Sequence, residues 1–136
     1  MARDLDDGGL LDTSVFIAQE SGRRIDMSAL PDKGYISVIT LAELEAGVLA
    51  AADQTIRSRR LTTLTRVSGL VALPVDASAA AHWARMRVRL AENRRRVNVN
   101  DLWIAAIALA NGLAVYTQDR DYEPLAELGE LRVVIV

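Results

Sequence analysis

Short apolar runs alternate with longer amphipathic stretches along this 136-residue chain. Residues 9–13 (GLLDT) predict a buried strand, and residues 14–22 (SVFIAQESG) a short helix closed by Gly22. Beyond a loop through Pro31 to Gly34, residues 35–39 (YISVI) read as a second strand. Residues 40–52 (TLAELEAGVLAAA) then form a helix, with Thr40 as N-cap and Glu43 three positions on in a capping-box pattern. Asp53 caps the next helix, which runs to about Gly69; residues 70–75 (LVALPV) give a third strand. A long helix over residues 76–94 follows, capped by Asp76 or Ser78, and then a basic loop, RRRVNV. Asn100 is placed to cap the helix DLWIAAIALANG, which closes at Asn111 and Gly112. LAVYT is a fourth strand, EPLAELG a short helix and LRVVIV a last strand. Near-continuous apolar strands separated by helices imply an α/β fold with a mostly parallel sheet covered on both faces.

Against that pattern, four acidic residues stand where apolar runs break. They are Asp12 in LLDTSVFIA, Glu43 in ISVITLAELEAG, Asp101 in NVNDLWIAAIALA and Asp119 in LAVYTQDRDY. Ligand crevices of open α/β sheets lie beyond the carboxyl ends of the strands. Asp12 and Asp119 fall at such ends, Glu43 follows the second strand by roughly one helical turn, and Asp101 lies in the first turn of its helix. Each has an ordinary explanation alone: a helix cap for Asp12, half a capping box for Glu43, a dipole partner for Asp101, a turn residue for Asp119. As a set they share one rim. Gathered carboxylates repel one another and are costly to bury, so a fold that collects them calls for a compensating cation. Hard divalent ions such as Mg²⁺ or Mn²⁺ take oxygen ligands of this kind and serve phosphoryl chemistry. Thr13, Ser14, Thr40, Asn100 and Thr117 stand beside or near the acids and could orient them by hydrogen bonds.

Composition narrows the chemistry. With no cysteine, disulfides, thiolate metal sites and cysteine nucleophiles are excluded; with a single histidine, His82, a histidine-rich metal site is excluded too. No apolar run reaches the roughly 18–20 residues of a membrane span. The first nine residues, MARDLDDGG, lack the basic and apolar regions of a signal peptide. The expectation is a cytoplasmic protein with a flexible N-terminal lead-in over residues 1–8 and one domain over 9–136. The net charge of -2 argues against bulk nucleic-acid binding, yet the arginines cluster, at 57–66 and at 85–96. Local arginine stripes can hold a phosphate backbone in a near-neutral protein.

The ordered motifs carry a resemblance. LLDTSVFIA, TLAELEAG and NDLWIAAIALANGLAVYTQDRDY, in that order and spacing, resemble a PIN-domain ribonuclease of the VapC type, the toxin of a bacterial type II toxin–antitoxin pair. TQDRDY matches the Thr-x-Asp-x-Asp-aromatic run that typically ends the family's fourth strand. The resemblance runs from Gly9 onward and implies a three-layer α/β/α PIN-like domain. It implies Asp12, Glu43, Asp101 and Asp119 as catalytic, metal-binding carboxylates, with Asp121 as a fifth acid or the alternative to Asp119. Ser14 and Thr117 look like supporting hydroxyls, with Asn100 a further supporting residue. Implied with these are Mg²⁺ or Mn²⁺, cleavage of tRNA or ribosomal RNA with growth arrest, and a homodimer. A cognate VapB-type antitoxin is implied too, assembling with the toxin as a hetero-oligomer and reaching into the acidic pocket. Where the family often carries a glycine and a proline-like turn before the third acid, this chain has Arg94, Arg95, Arg96 and Val97.

The remaining residues are weighed the same way. Arg94, Arg95 and Arg96 are either a solvated end of the long helix or contacts for RNA or a partner. Glu45 is expected at the surface, His82 outside any metal site, and Trp83 and Trp103 in core or dimer packing rather than base stacking. The rival to an enzyme is a non-catalytic PIN-like module whose acidic rim binds a basic partner; the four filled acidic positions favour the enzyme. A phosphoacceptor domain of the response-regulator type is disfavoured because the one lysine, Lys33, lies in an early loop.

Overall fold

The computed structural model describes residues 8–136. A five-stranded sheet is built around β1 (Gly8–Leu11), with β2 (Lys33–Ser37) on one side and β4 (Ala114–Thr117) on the other. β3 (Ala72–Leu73) lies outside β2 and β5 (Val133–Ile135) outside β4, and every pairing is parallel. The helices are α1 (Thr13–Ser21), α2 (Val38–Leu49), α3 (Gln54–Val67), α4 (Ala77–Glu92), α5 (Val99–Ala110) and α6 (Glu123–Glu127), with one 3₁₀ turn at Met27–Ala29.

Strand alternation divides the core in two. Leu10, Tyr35, Leu73 and Val115 face a large core with Met86 and Leu90 of α4, Ile104 and Ile107 of α5, and Leu125 of α6. Their sequence neighbours Leu11, Ile36 and Ala72 face a smaller core with Phe16 of α1, Leu44 of α2 and Val67 of α3. Helices thus cover both faces, which makes the three α/β/α layers. Side chains such as Ile104 and Ile107, fully removed from water, contribute about 1.5–3 kcal/mol each. Gly9 is required at the centre of the sheet: a Cβ there would lie 2.2 Å from Cε1 of Tyr116.

Local signals set most boundaries, and some differ from the sequence reading. Asp12 caps α1, and Gly22, at φ 74°, ends it, with the Arg23 N–H donating to the Ala18 carbonyl at 2.9 Å. Asp53 and Asp76 cap α3 and α4 as expected. α2, however, begins at Val38 under a Ser37 cap, whose Oγ accepts from the Thr40 N–H at 3.1 Å. Thr40 is therefore not the cap, β2 stops at Ser37 rather than residue 39, and Glu43 has no capping-box role. The apolar run passes unbroken from strand into helix, which hides that boundary. Asn98 caps α5 in place of Asn100. β3 keeps two residues of the six expected; Pro74, without an N–H, follows directly. The lead-in expected over 1–8 lies outside the described residues except at Gly8, which opens β1. No helix among the described residues is long and apolar enough to cross a membrane.

Candidate active site

The strand order β3-β2-β1-β4-β5 places a switch point between β1 and β4. The chain leaves β1 toward β2 and β3 on one side and returns to β4 on the other. A crevice opens beyond the carboxyl ends of such a pair. Asp12 follows the last residue of β1 directly, and its N–H donates to the Tyr116 carbonyl at 2.9 Å, extending the ladder by one residue. The backbone itself therefore delivers Asp12 to the crevice, where it is only 4% exposed.

The Asp12 carboxylate is held from several directions. Its Oδ2 accepts from the Ser14 hydroxyl at 2.6 Å, from the Ser14 N–H at 3.3 Å and from the Thr117 hydroxyl at 2.9 Å. Both hydroxyls are themselves fixed: Ser14 Oγ accepts from the Gln118 N–H and Thr117 Oγ1 from the Asp119 N–H, each at 3.0 Å. The backbone that leaves β4 thus orients two hydroxyls, and these orient Asp12. Ser14 and Thr117, expected as supporting hydroxyls, thus both donate to Asp12.

Asp101 arrives from the opposite side as the third residue of α5. Its N–H donates to Asn98 Oδ1 at 2.9 Å, and Asn98 Nδ2 donates to its Oδ2 at 2.7 Å. One cap residue thus positions both the helix end and the carboxylate. Between the two acids stands Tyr122, 1% exposed. Its hydroxyl donates to Asp12 Oδ1 at 2.8 Å and stands 3.3 Å from Asp101 Oδ1. Sequence reasoning noted this aromatic position in TQDRDY but gave it no role in the site.

The other acids complete the rim. Glu43 Oε1 accepts from the Thr13 hydroxyl at 2.8 Å, and Oε2 lies 3.5 Å from Asn100 Nδ2. Asn100 therefore bears on Glu43 rather than capping α5. Thr13 also touches Thr40 Oγ1 at 2.9 Å, so it links α1 to α2. Asp119 is half-buried, whereas Asp121 is exposed but close enough to repel both Asp101 and Asp119. Glu45 is exposed, as its spacing from Glu43 implied.

Electrostatics register the crowding. Burial, then the charge of Asp12, then those of Asp121 and Glu43, push Asp101 up from 3.8 to about 7. Burial, then Asp12 and Asp121, raise Asp119, offset in part by Arg23. Burial and both aspartates hold the Tyr122 phenol far above its usual range, so it remains a donor. Burial and the crowd of like charges thus make the ionised form of Asp101 costly at neutral pH. Among the described residues no group of three or more acidic or histidine side chains forms a ready metal cage. The rim is open and lined by carboxylate and hydroxyl oxygen. That donor set fits a hard divalent ion bound by one or two carboxylates and water, not a thiolate or imidazole metal.

Of the remaining candidates, Arg94, Arg95 and Arg96 lie in the loop between α4 and α5, beside Asn98. Arg95 pairs with Glu127. Trp83 and Trp103 stack on each other at 4.9 Å between α4 and α5, which is packing rather than an open base platform. Burial and Arg85 lower the His82 pKa, with Glu130 opposing, and His82 lies on α4 away from the acids.

Comparison with known proteins agrees with the fold. The PIN-domain family model matches residues 9–128. The chain is 52% identical over 128 residues to Ribonuclease VapC5 of Mycobacterium tuberculosis, covering 94% of this chain and 95% of that one. It is 40% identical over 124 residues to Ribonuclease VapC4 of the same organism, covering 88% and 92%. Among solved structures, VapBC-5 of M. tuberculosis, a member of the VapBC family of toxin–antitoxin systems, superposes with a TM-score of 0.89 at 49% identity. That match spans 96% of this chain and 99% of the other.

Proposed function

The chain belongs to the PIN-domain family and, within it, to the VapC ribonucleases, and from that premise we propose that it is a divalent-metal-dependent endoribonuclease toxin. The observation that carries the reading is the pair Asp12 and Asp101, brought from β1 and α5 onto one phenol and, among the described residues, left without an ion-pair partner. Asp12, Asp101 and Asp119, with Glu43 at the edge, are the residues that would hold Mg²⁺ or Mn²⁺. The bound ion supplies polarisation of a phosphoryl oxygen and a water of lowered pKa. The protein's own part is orientation. Ser14 and Thr117 fix Asp12, Asn98 fixes Asp101, and Thr13 and Asn100 fix Glu43, so few carboxylates must reorganise when the ion binds. Tyr122 keeps a proton between Asp12 and Asp101 and holds them at a set spacing.

The substrate class that fits this reading is structured cellular RNA, tRNA or ribosomal RNA, whose cleavage stops translation and growth. The partner is a VapB-type antitoxin: a solved structure that superposes on this chain with a TM-score of 0.89 belongs to a toxin–antitoxin system. A basic antitoxin side chain entering the acidic rim would neutralise the charge that otherwise awaits a cation. To test the reading, purified protein freed of any antitoxin is incubated with total RNA, with and without Mg²⁺ or Mn²⁺. Metal-dependent cleavage that is lost in Asp12→Ala and in Asp101→Ala, with circular dichroism unchanged, is the expected result. Absence of cleavage, or cleavage undiminished in both variants, would leave a non-catalytic module whose rim binds a basic partner.

A further inference from the structure

Beside the acidic rim, and separate from it, runs a groove of about 1110 Å³ between the end of α4, the following loop and the start of α5. It is lined by Arg87, Arg94 and Arg96 together with Val88, Val97 and Val99. None of these three arginines forms a salt bridge among the described residues, whereas Arg85, Arg89 and Arg95 each do. The loop geometry is specific. Arg94 sits at φ 55°, the left-handed conformation that favours glycine. There its N–H bonds the Ala91 carbonyl at 3.1 Å, and the Arg95 N–H bonds that of Leu90 at 2.9 Å. This turn ends α4 and carries the chain straight on through Arg95 and Arg96 to Asn98. An arginine at the position best suited to glycine costs backbone strain and presents a guanidinium at the groove's edge.

The groove also leads to the acids. A second hollow of about 360 Å³, lined by Arg96, Asn98, Arg120 and Asp121, begins on the other side of the same loop. Asn98 lines both hollows and its amide holds Asp101. A chain of anionic groups crossing the loop would therefore pass from arginines to the acidic rim without leaving the surface.

We propose that this groove binds the phosphate backbone of an unpaired RNA segment and feeds it across the loop to the acidic rim. The proposal rests on the ribonuclease reading above and gives it a substrate-binding surface. Arg94 and Arg96, free of ion pairs among the described residues, and Arg87, which lies over the Trp83 ring at 5.7 Å without an acidic partner there, suit phosphates, which they can bind in bidentate fashion. The exposed Val88 and Val99 in the same groove give unpaired bases an apolar surface that a duplex, with its bases stacked inside, could not use. An acidic peptide would match the charge but gains nothing from the continuity with a metal-binding, phosphodiester-cleaving rim.

The test compares wild type, the triple variant Arg87→Ala/Arg94→Gly/Arg96→Ala, and a charge-matched control, Arg57→Ala/Arg59→Ala/Arg66→Ala on α3. Binding of a labelled single-stranded RNA oligonucleotide and of its duplex is followed by anisotropy over a range of salt, alongside KM and kcat for cleavage. The groove variant is expected to lose about tenfold in single-strand affinity and to give a salt slope shallower by about 2, as for three lost phosphate contacts. KM should rise more than kcat falls, and the control should shift little. If wild type cleaves RNA and the groove variant matches the control, the groove assignment is overturned while the ribonuclease reading stands. Equal losses on single strand and duplex would overturn the choice of unpaired RNA. Unchanged RNA binding with weakened antitoxin binding would reassign the groove to a protein partner. Failure of wild type to bind or cleave RNA would overturn both readings together.

Discussion

Asp101→Asn should make the metal-free protein more stable, and the gain should depend on pH in a defined direction. The folded state raises the Asp101 pKa from 3.8 to about 7, chiefly by burial and the neighbouring Asp12. Between those two values the folded protein binds more protons than the unfolded chain, so stability falls as pH rises through that window. The full penalty is present above about 7 and absent below about 3.8. A shift of this size corresponds to about 4 kcal/mol at most, taking about 1.36 kcal/mol per unit. Asparagine keeps the shape, and its carbonyl can accept from Asn98 Nδ2 as Oδ2 now does at 2.7 Å. It cannot ionise. Urea unfolding followed by tryptophan fluorescence, in chelator and from about pH 4 to about pH 8, gives the comparison. The two proteins should have similar stability at the acid end and separate by about 2–4 kcal/mol at the alkaline end, the variant being the more stable. Mg²⁺ or Mn²⁺ should narrow the gap by stabilising wild type more than the variant. A difference that stays constant across the pH range would refute the reasoning, because the ionisation of Asp101 would then cost the fold nothing.

Other substitutions probe the positioning groups. Tyr122→Phe removes the donor between Asp12 and Asp101 and should cost about 1.5–3 kcal/mol without metal, measured by the same unfolding assay. It should also raise the Asp101 pKa further, since the phenol bond lowers it; a variant as stable as wild type would contradict this role. Asn98→Ala removes both the cap of α5 and the bond to Asp101. It should cost about 1 kcal/mol in stability and lower kcat, whereas Asn98→Asp should restore the cap but not the activity. Arg94→Gly should raise stability by about 0.5–1 kcal/mol by relieving the left-handed conformation, and a loss of stability would show that the side chain is held by more than the turn.

Much of this site could be read from the sequence because each acid interrupts an apolar run. Asp12 and Asp119 mark the strand ends, and the polarity break at residues 98–101 marks the start of α5. The cap at that helix was misplaced by two positions, since Asn98 and Asn100 are the same residue type and only the fold distinguishes them. Ser37 was hidden inside an apolar run whose first half is strand and second half helix. Tyr122 escaped because an aromatic residue after TQDRD resembles ordinary packing by pattern alone. Its role depends on two carboxylates, Asp12 and Asp101, that are 89 positions apart in sequence and meet only through the sheet order. Thr13 and Glu43 are likewise joined only in three dimensions. Residue types and edges were legible; the hydrogen bonds that make the edges one site were not.

The central claim, that the rim is a cation site held open by repelling carboxylates, is tested most directly by calorimetric titration of the antitoxin-free protein with Mn²⁺. The titration is run at about neutral pH in buffers of different ionisation enthalpy. Burial and Asp12 raise Asp101 to about 7, so binding should be accompanied by proton release, and Asp101→Asn should bind more weakly with that release lost. Failure of wild type to bind Mn²⁺, or binding with the same affinity and proton release in Asp101→Asn, would contradict the account.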